Sequence, residues 1–103
     1  MTVIHTTLSP NKEILTLDIQ GRFDFNALSL FKSTYEQLSP KPKTYILELA
    51  RAEYLDSSAL GMLVALRDYA GGDQADIRLR NPNADIKKIL VITKLDELFN
   101  IES

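Results

Sequence analysis

Tyr-Leu-Asp-Ser-Ser-Ala-Leu-Gly-Met-Leu, at residues 54–63, joins a strand-like segment to a helix-like one. Upstream, residues 44–49 (Thr-Tyr-Ile-Leu-Glu-Leu) form a β-branched, aromatic and apolar run of strand length. The residues that follow predict a helix that ends at the glycine pair 71–72. Ser57 is therefore expected at a helix N-terminus, where its hydroxyl can accept a hydrogen bond from a free backbone N–H and the helix dipole attracts an anion.

The Asp-Ser-Ser triplet at this junction has two interpretations. Such residues before an apolar helix are what an ordinary N-cap looks like. Capping alone uses one of them, however, and three polar residues followed by Ala59 and Gly61 leave the helix start with little side-chain cover. The motif by itself fits both a structural cap and a site that receives a phosphate or a partner.

The helix after this junction is apolar on more than one side. At about 100° per residue, one broad arc should face the sheet. That arc consists of Ala59, Met62, Leu63, Leu66, Tyr69 and Ala70. Leu60 and Val64 fall on the opposite side with Gly61, so they are either covered by another element or exposed beside Ser57 as a partner surface.

Composition limits the classes of protein that fit. The 103 residues are 45% apolar, which predicts one domain, residues 1–103, with a core that needs neither disulfides nor metal. The absence of cysteine excludes disulfides, thiol catalysis and thiolate metal sites, and it fits a reducing cytoplasm. A net charge of −2 gives no electropositive footprint for nucleic acid or anionic lipid.

Targeting signals and membrane segments are not predicted. The first thirty residues do not combine a basic start with an apolar run, and no stretch approaches the ~20 apolar residues of a membrane span. The small basic groups at residues 78–80 and 87–88 read as solvated faces of a strand and a helix. We expect a cytoplasmic protein with no cofactor, no nucleic-acid partner and no membrane partner.

The order of elements predicts an α/β fold. Strands are predicted at 3–8 and 14–19, which form a hairpin, and Gly21 ends the second of them. A helix follows that is capped by Asn26 or Asp24 and stopped by Pro40. The remaining predicted elements are a strand at 44–49, a helix from Ser58, a strand at 75–80 and a helix from about Asn83. The order β-β-α-β-α-β-α contains parallel crossovers. It predicts a mixed four- or five-stranded sheet with helices mainly on one face.

Three motifs stand in order along the chain. They are Gly-Arg-Phe-Asp at 21–24, Asp-Ser-Ser-Ala-Leu-Gly at 56–61, and Asn-Pro at 81–82 followed by Ile-Lys-Lys-Ile-Leu at 86–90. They resemble the Gly-x-Leu-Asp segment, the Asp-Ser-Ser-Gly-Leu-Gly signature and the closing strand and helix of STAS domains of the anti-sigma factor antagonist type. The resemblance covers nearly the whole chain and implies a single STAS-like domain.

The resemblance also implies a function and its residues. In such proteins the first serine after the aspartate is phosphorylated, which here is Ser57 rather than Ser58. The implied partner-binding residues are Asp24, Asp56, Ser57, Ser58, Leu60, Gly61 and Ile89. The unmodified domain would bind an anti-sigma factor or a serine kinase of the switch type and release it when phosphorylated. A serine phosphatase would restore binding, and the output would be regulation of transcription.

Two positions depart from the family pattern. Ala59 replaces a glycine, which favours the helix by up to about 1 kcal/mol and adds a methyl group that a docking partner must accommodate. Lys94 stands where the closing helix often ends in glycine, which leaves the path of residues 94–103 open.

An enzyme is not expected. His5 is the only histidine and lies far in sequence from Ser57, so a Ser-His-acid triad has little support. Neighbours on the third strand point to opposite faces, so Glu48, Glu53 and Asp56 do not predict a shared magnesium site. The alternative to the switch is a non-switching STAS interaction module, which scaffolds a signalling enzyme or a biofilm or motility regulator and uses Ser57 only as a cap.

Overall fold

The computed structural model describes residues 2–102. The elements in chain order are β1 (Thr2–Leu8), β2 (Ile14–Phe23), α1 (Leu28–Tyr35), β3 (Thr44–Glu48), β4 (Ala52–Leu55), α2 (Ser57–Tyr69), β5 (Asp76–Arg80), α3 (Ala84–Ile92) and β6 (Asn100–Glu102). Short 3-10 turns lie at Phe25–Ala27, Gly72–Gln74 and Leu95–Glu97.

One mixed sheet holds all these strands. Its order is β1-β2-β3-β5-β6, and β4 pairs with the end of β2. The β1–β2 pair is the antiparallel hairpin expected from the sequence, whereas β3, β4, β5 and β6 join by parallel pairing. The described residues contain six strands instead of the expected four or five. The two additional strands have four and three residues, which is too short for a period-two pattern to show in the sequence.

Gly21 does not end the second strand, contrary to the expectation. It lies within β2 at φ 81°, its N–H donates to the carbonyl oxygen of Arg51 at 3.0 Å, and the pairing register shifts between Gly21 and Arg22. An irregularity of this kind bends a strand without stopping it. The end of β2 therefore turns away from β3 and pairs with β4, which brings residues 21–24 next to the start of α2.

Alternating burial along the strands shows which face the helices cover. In β2, Leu15, Leu17 and Ile19 are buried, whereas the residues between them are partly exposed. The helices bury Phe31, Tyr35, Ala59, Met62, Leu63, Leu66, Ile86 and Leu90 in the same cluster. The helices thus cover one face of the sheet, as predicted, and the predicted inward arc of α2 is confirmed, with Tyr69 and Ala70 half-buried at its margin.

Lys94, at the position where the resemblance predicts a glycine, has a backbone conformation that glycine adopts readily. Its backbone is left-handed, with φ 62° and ψ 19°, directly after α3 and its C-cap residue. A left-handed residue at this position closes many helices, and glycine is the usual choice because it has no Cβ. The chain then forms a 3-10 turn and adds β6 beside β5, so residues 100–102 form the edge of the sheet opposite β1.

Candidate functional site

Asp56, and not Ser57, caps α2. Its backbone is extended, and its Oδ1 accepts a hydrogen bond from the N–H of Ala59 at 2.8 Å. Ser57 is the first residue of the helix. The expectation that Ser57 itself accepts the capping bond is therefore wrong, because a carboxylate one residue earlier already fills that position.

The Ser57 side chain is left available. It is exposed, and its hydroxyl makes no hydrogen bond within the part of the chain that the structure describes. Ser58 differs, because it is half-buried and lines a groove beside α1. By helix geometry, the first N–H groups of α2 have no intrahelical acceptor, so partial positive charge lies close to the free hydroxyl.

The end of β2 brings Asp24 to the same edge of the domain. The N–H of Asp56 donates to the carbonyl oxygen of Phe23 at 3.4 Å, which joins the two motifs directly. Asp24 accepts a hydrogen bond from the N–H of Asn26 at 3.1 Å and so caps the turn before α1, as one of the two expected caps. The 21–24 and 56–61 motifs, separate in sequence, form one surface.

Arg22 is the cation of this surface. Its guanidinium lies 4.4 Å from the centre of the Tyr54 ring and 3.9 Å from a carboxylate oxygen of Asp24. More than half of the Arg22 side chain is exposed, so solvent screens the ion pair with Asp24. The stacking on Tyr54 holds the guanidinium at the strand end that leads into α2.

An apolar groove of about 290 Å³ lies between the turn before α1 and α2. Its lining residues are Phe25, Leu28, Ser58, Gly61, Met62 and Ala65. Phe25 is 64% exposed, and a Cβ placed on Gly61 would meet nothing within 4 Å, so the groove opens to solvent. Phe25 was not among the candidate residues predicted from the sequence. The available signal was an aromatic residue that directly follows a capping aspartate and lies outside the apolar periodicity of any predicted element.

Leu60 and Ile89 have an intermediate environment. Both are half-buried, and Leu60, with Val64, packs against the margin of the core. Leu60 is thus partly covered by its own domain, and part of its surface remains available. Ile89 lies on α3, whose cap residue Asn83 donates from its side-chain amide to the carbonyl oxygen of Ala52 at 3.2 Å. That bond fixes the start of α3 beside the strand that leads into the site.

Residues 2–102 do not offer two other kinds of site. Within this range, no group of three or more histidine, cysteine, aspartate or glutamate side chains is placed to hold a metal ion. No helix in the same range has the length and apolar character that crossing a membrane requires.

Comparison with known proteins identifies relatives of both sequence and fold. A family model described as "Mlab, STAS domain" matches residues 6–100. A STAS-domain containing protein of Pseudomonas aeruginosa (strain UCBPP-PA14) is 48% identical over 93 residues, which span 90% of this chain and 92% of that protein.

Solved structures share the fold at low identity. A candidate anti-sigma factor antagonist from Thermotoga maritima matches with a TM-score of 0.83 at 20% identity, over 97% of this chain and 86% of its own. The Bacillus cell fate determinant SpoIIAA in its phosphorylated form matches with a TM-score of 0.74 at 16% identity, over 98% of this chain and 92% of its own. Unphosphorylated SpoIIAA, an anti-sigma factor antagonist, matches with a TM-score of 0.72 at 16% identity, over 87% of this chain and 83% of its own.

Proposed function

This chain belongs to the STAS domain family, and we propose that it is a phosphorylatable anti-sigma factor antagonist that regulates transcription by partner switching. With Ser57 unmodified, it binds an anti-sigma factor or a serine kinase of the switch type. Phosphorylation of Ser57 releases that partner, and a serine phosphatase restores the binding form. The domain itself catalyses nothing and needs no cofactor.

The observation that carries this proposal is the division of roles between two adjacent residues. Asp56 supplies the cap, so the Ser57 hydroxyl is exposed and has no structural hydrogen bond among the described residues. A kinase can therefore modify Ser57 without first breaking a bond that the fold needs. Ser58 is half-buried in the groove and is the less accessible acceptor.

The physics of the switch follows from charge. A phosphate on Ser57 adds roughly −1.5 to −2 charge at neutral pH. Asp56 is adjacent, and Asp24 lies on the neighbouring chain segment, so the phosphate makes this surface strongly anionic. The helix dipole and the free N–H groups of the first turn accommodate the phosphate, so the fold survives. The penalty falls on the interface, where the charge must be desolvated against the partner.

The proposed partner surface combines both motifs with apolar contacts. Its residues are Asp24, Asp56, Ser57, Ser58, Leu60, Gly61 and Ile89, together with the exposed Phe25. The open side of Gly61 permits close approach to α2, and Phe25 offers an apolar anchor beside it. SpoIIAA has this fold in both its phosphorylated and its unphosphorylated form, which supports the proposal that the fold tolerates a phosphate.

The direct test is to locate the phosphate. The chain is purified from its native cells as wild type, Ser57→Ala and Ser58→Ala, and each form is analysed by intact mass and peptide fragmentation. We expect phosphate on Ser57 in the wild type, none in Ser57→Ala, and unchanged modification in Ser58→Ala. Phosphate retained in Ser57→Ala would contradict the assignment. An unmodified chain whose partners bind Ser57→Asp and wild type equally would identify the non-switching interaction module.

A further inference from the structure

The first strand, β1, forms one edge of the sheet, and this strand carries no formal charge. β1 reads Thr-Val-Ile-His-Thr-Thr-Leu and pairs only with β2 among the strands of residues 2–102. The opposite edge, β6, has three residues, and its Glu102 binds Arg80 at 2.6 Å and Arg78 at 3.7 Å. Proteins protect sheet edges by keeping them short or charged. β6 follows that rule, and β1 has seven residues without a formal charge or a proline.

The hydrogen bonds of the hairpin show which backbone groups of β1 face outward. The N–H of Ser9 donates to the carbonyl oxygen of Ile14, so Ser9 faces β2. The N–H of Gly21 points the other way, to Arg51, which gives the same alternation along β2. Because the N–H and C=O of one strand residue point to the same side and alternate along the strand, the even-numbered residues of β1 face the free edge. These are Thr2, Ile4, Thr6 and Leu8.

We propose that two copies of this chain associate by antiparallel pairing of their β1 strands, with His5 at the twofold axis. In this register Ile4 lies opposite Thr6 of the second copy, and Thr2 lies opposite Leu8. Every outward-facing residue then meets another outward-facing residue, so the free N–H and C=O groups of both edges are paired. His5 lies opposite His5 of the second copy in a pair without direct backbone hydrogen bonds.

The surroundings of the edge favour a second copy of the same chain. The strand carries no charge, so no like charges of the two β1 strands face each other, although each chain has a net charge of −2. Exposed apolar side chains flank the edge on both faces of the sheet. Val3 is 40% exposed on the face without helices, and Leu30 is 43% exposed on α1, where it shares a groove with Thr2. A twofold pairing covers both.

Two single-cysteine variants test the register. The chain has no cysteine, so single replacements are free of competing thiols. His5 and Thr7 are both exposed on the same face of β1. In the proposed register the two copies of residue 5 have Cα atoms about 4.5 Å apart, within the range of a disulfide. The two copies of residue 7 are about four residues apart along the strands, roughly 13 Å, which is too far.

We expect His5→Cys to form a covalent dimer under mild oxidation and Thr7→Cys to remain monomeric under the same conditions. Equal cross-linking of the two variants, or none in either, would overturn the proposed register. Circular dichroism of both reduced variants checks that these exposed replacements leave the fold intact.

Sedimentation equilibrium and amide exchange test the association itself. The wild type should dimerise reversibly, and Thr6→Lys, which places a charge on the edge, should raise the dissociation constant at least about tenfold. The amides of Ile4 and Thr6 should exchange more slowly as concentration rises, whereas the amide of His5, which already bonds to β2, should not change. A wild type that stays monomeric at millimolar concentration would overturn the proposal.

Discussion

Replacing Asp56 should destabilise the domain, and replacing Ser57 should not. The Asp56 carboxylate accepts the N–H of Ala59 at 2.8 Å and lies at the positive end of α2. Loss of an N-cap side chain costs about 1 kcal/mol, and loss of a charge that complements the helix dipole adds about 0.3–1 kcal/mol. We therefore expect Asp56→Ala to lower the free energy of unfolding by about 1 to 2 kcal/mol.

Ser57→Ala is the matched control at the next position. The exposed Ser57 side chain makes no hydrogen bond among the described residues, and alanine is the better helix former. Its free energy of unfolding should equal that of the wild type or exceed it by up to about 0.5 kcal/mol. Asp56→Asn separates the two contributions of Asp56, because it keeps a capping oxygen and removes the charge.

Urea unfolding followed by far-UV circular dichroism measures all three variants. We expect the order of stability to be Ser57→Ala at or above wild type, then Asp56→Asn, then Asp56→Ala. If Ser57→Ala loses as much stability as Asp56→Ala, then Ser57 is a structural cap and its hydroxyl is not free.

Three further predictions concern packing, the end of α3 and alkaline pH. Leu63→Ala, which truncates a side chain with no exposed surface, should lower the free energy of unfolding by about 2 to 5 kcal/mol in urea. Leu60→Ala, at a half-buried side chain, should lower it by less than half as much and should weaken partner binding. Equal losses of stability would place Leu60 in the core. Lys94→Gly should raise the free energy of unfolding by about 1 kcal/mol, because Lys94 holds a left-handed backbone, and a lower melting temperature would refute this. Burial raises the pKa of Tyr35 from 10.0 to about 12, so the contribution of Tyr35 to stability should be fully present below pH 10 and be lost between pH 10 and 12. Tyr35→Phe should reduce that loss, and an unchanged pH profile would contradict it.

The sequence predicted most of the fold because long elements carry long patterns. The hairpin strands and the buried third strand follow from apolar, strand-like runs, and the inward arc of α2 follows from helical periodicity, each sustained over five residues or more. The bend at Gly21 was not predicted, since glycine marks a strand end and a bulge equally well. β4 and β6 have too few residues to show a period.

The start of α2 was predicted to within one residue, and the structure corrects which residue caps it. Aspartate and serine are both good caps, and a helix start is uncertain from sequence by about one or two residues, so the cap was placed one residue late. The groove beside Phe25 depends on how the turn before α1 packs against α2, and no local pattern reports that. Whether Ser57 is modified is a property of the proposed kinase as well as of this chain.

In the proposed switch, charge on Ser57 governs the affinity for the partner. Calorimetric titration of the anti-sigma factor proposed as its partner, with the wild type, Ser57→Ala and Ser57→Asp, measures this effect. We expect Ser57→Ala to bind nearly as tightly as the wild type and Ser57→Asp to lose at least about 1 to 2 kcal/mol of binding free energy, because it leaves a charge in a desolvated interface. Equal affinities of all three forms would contradict it.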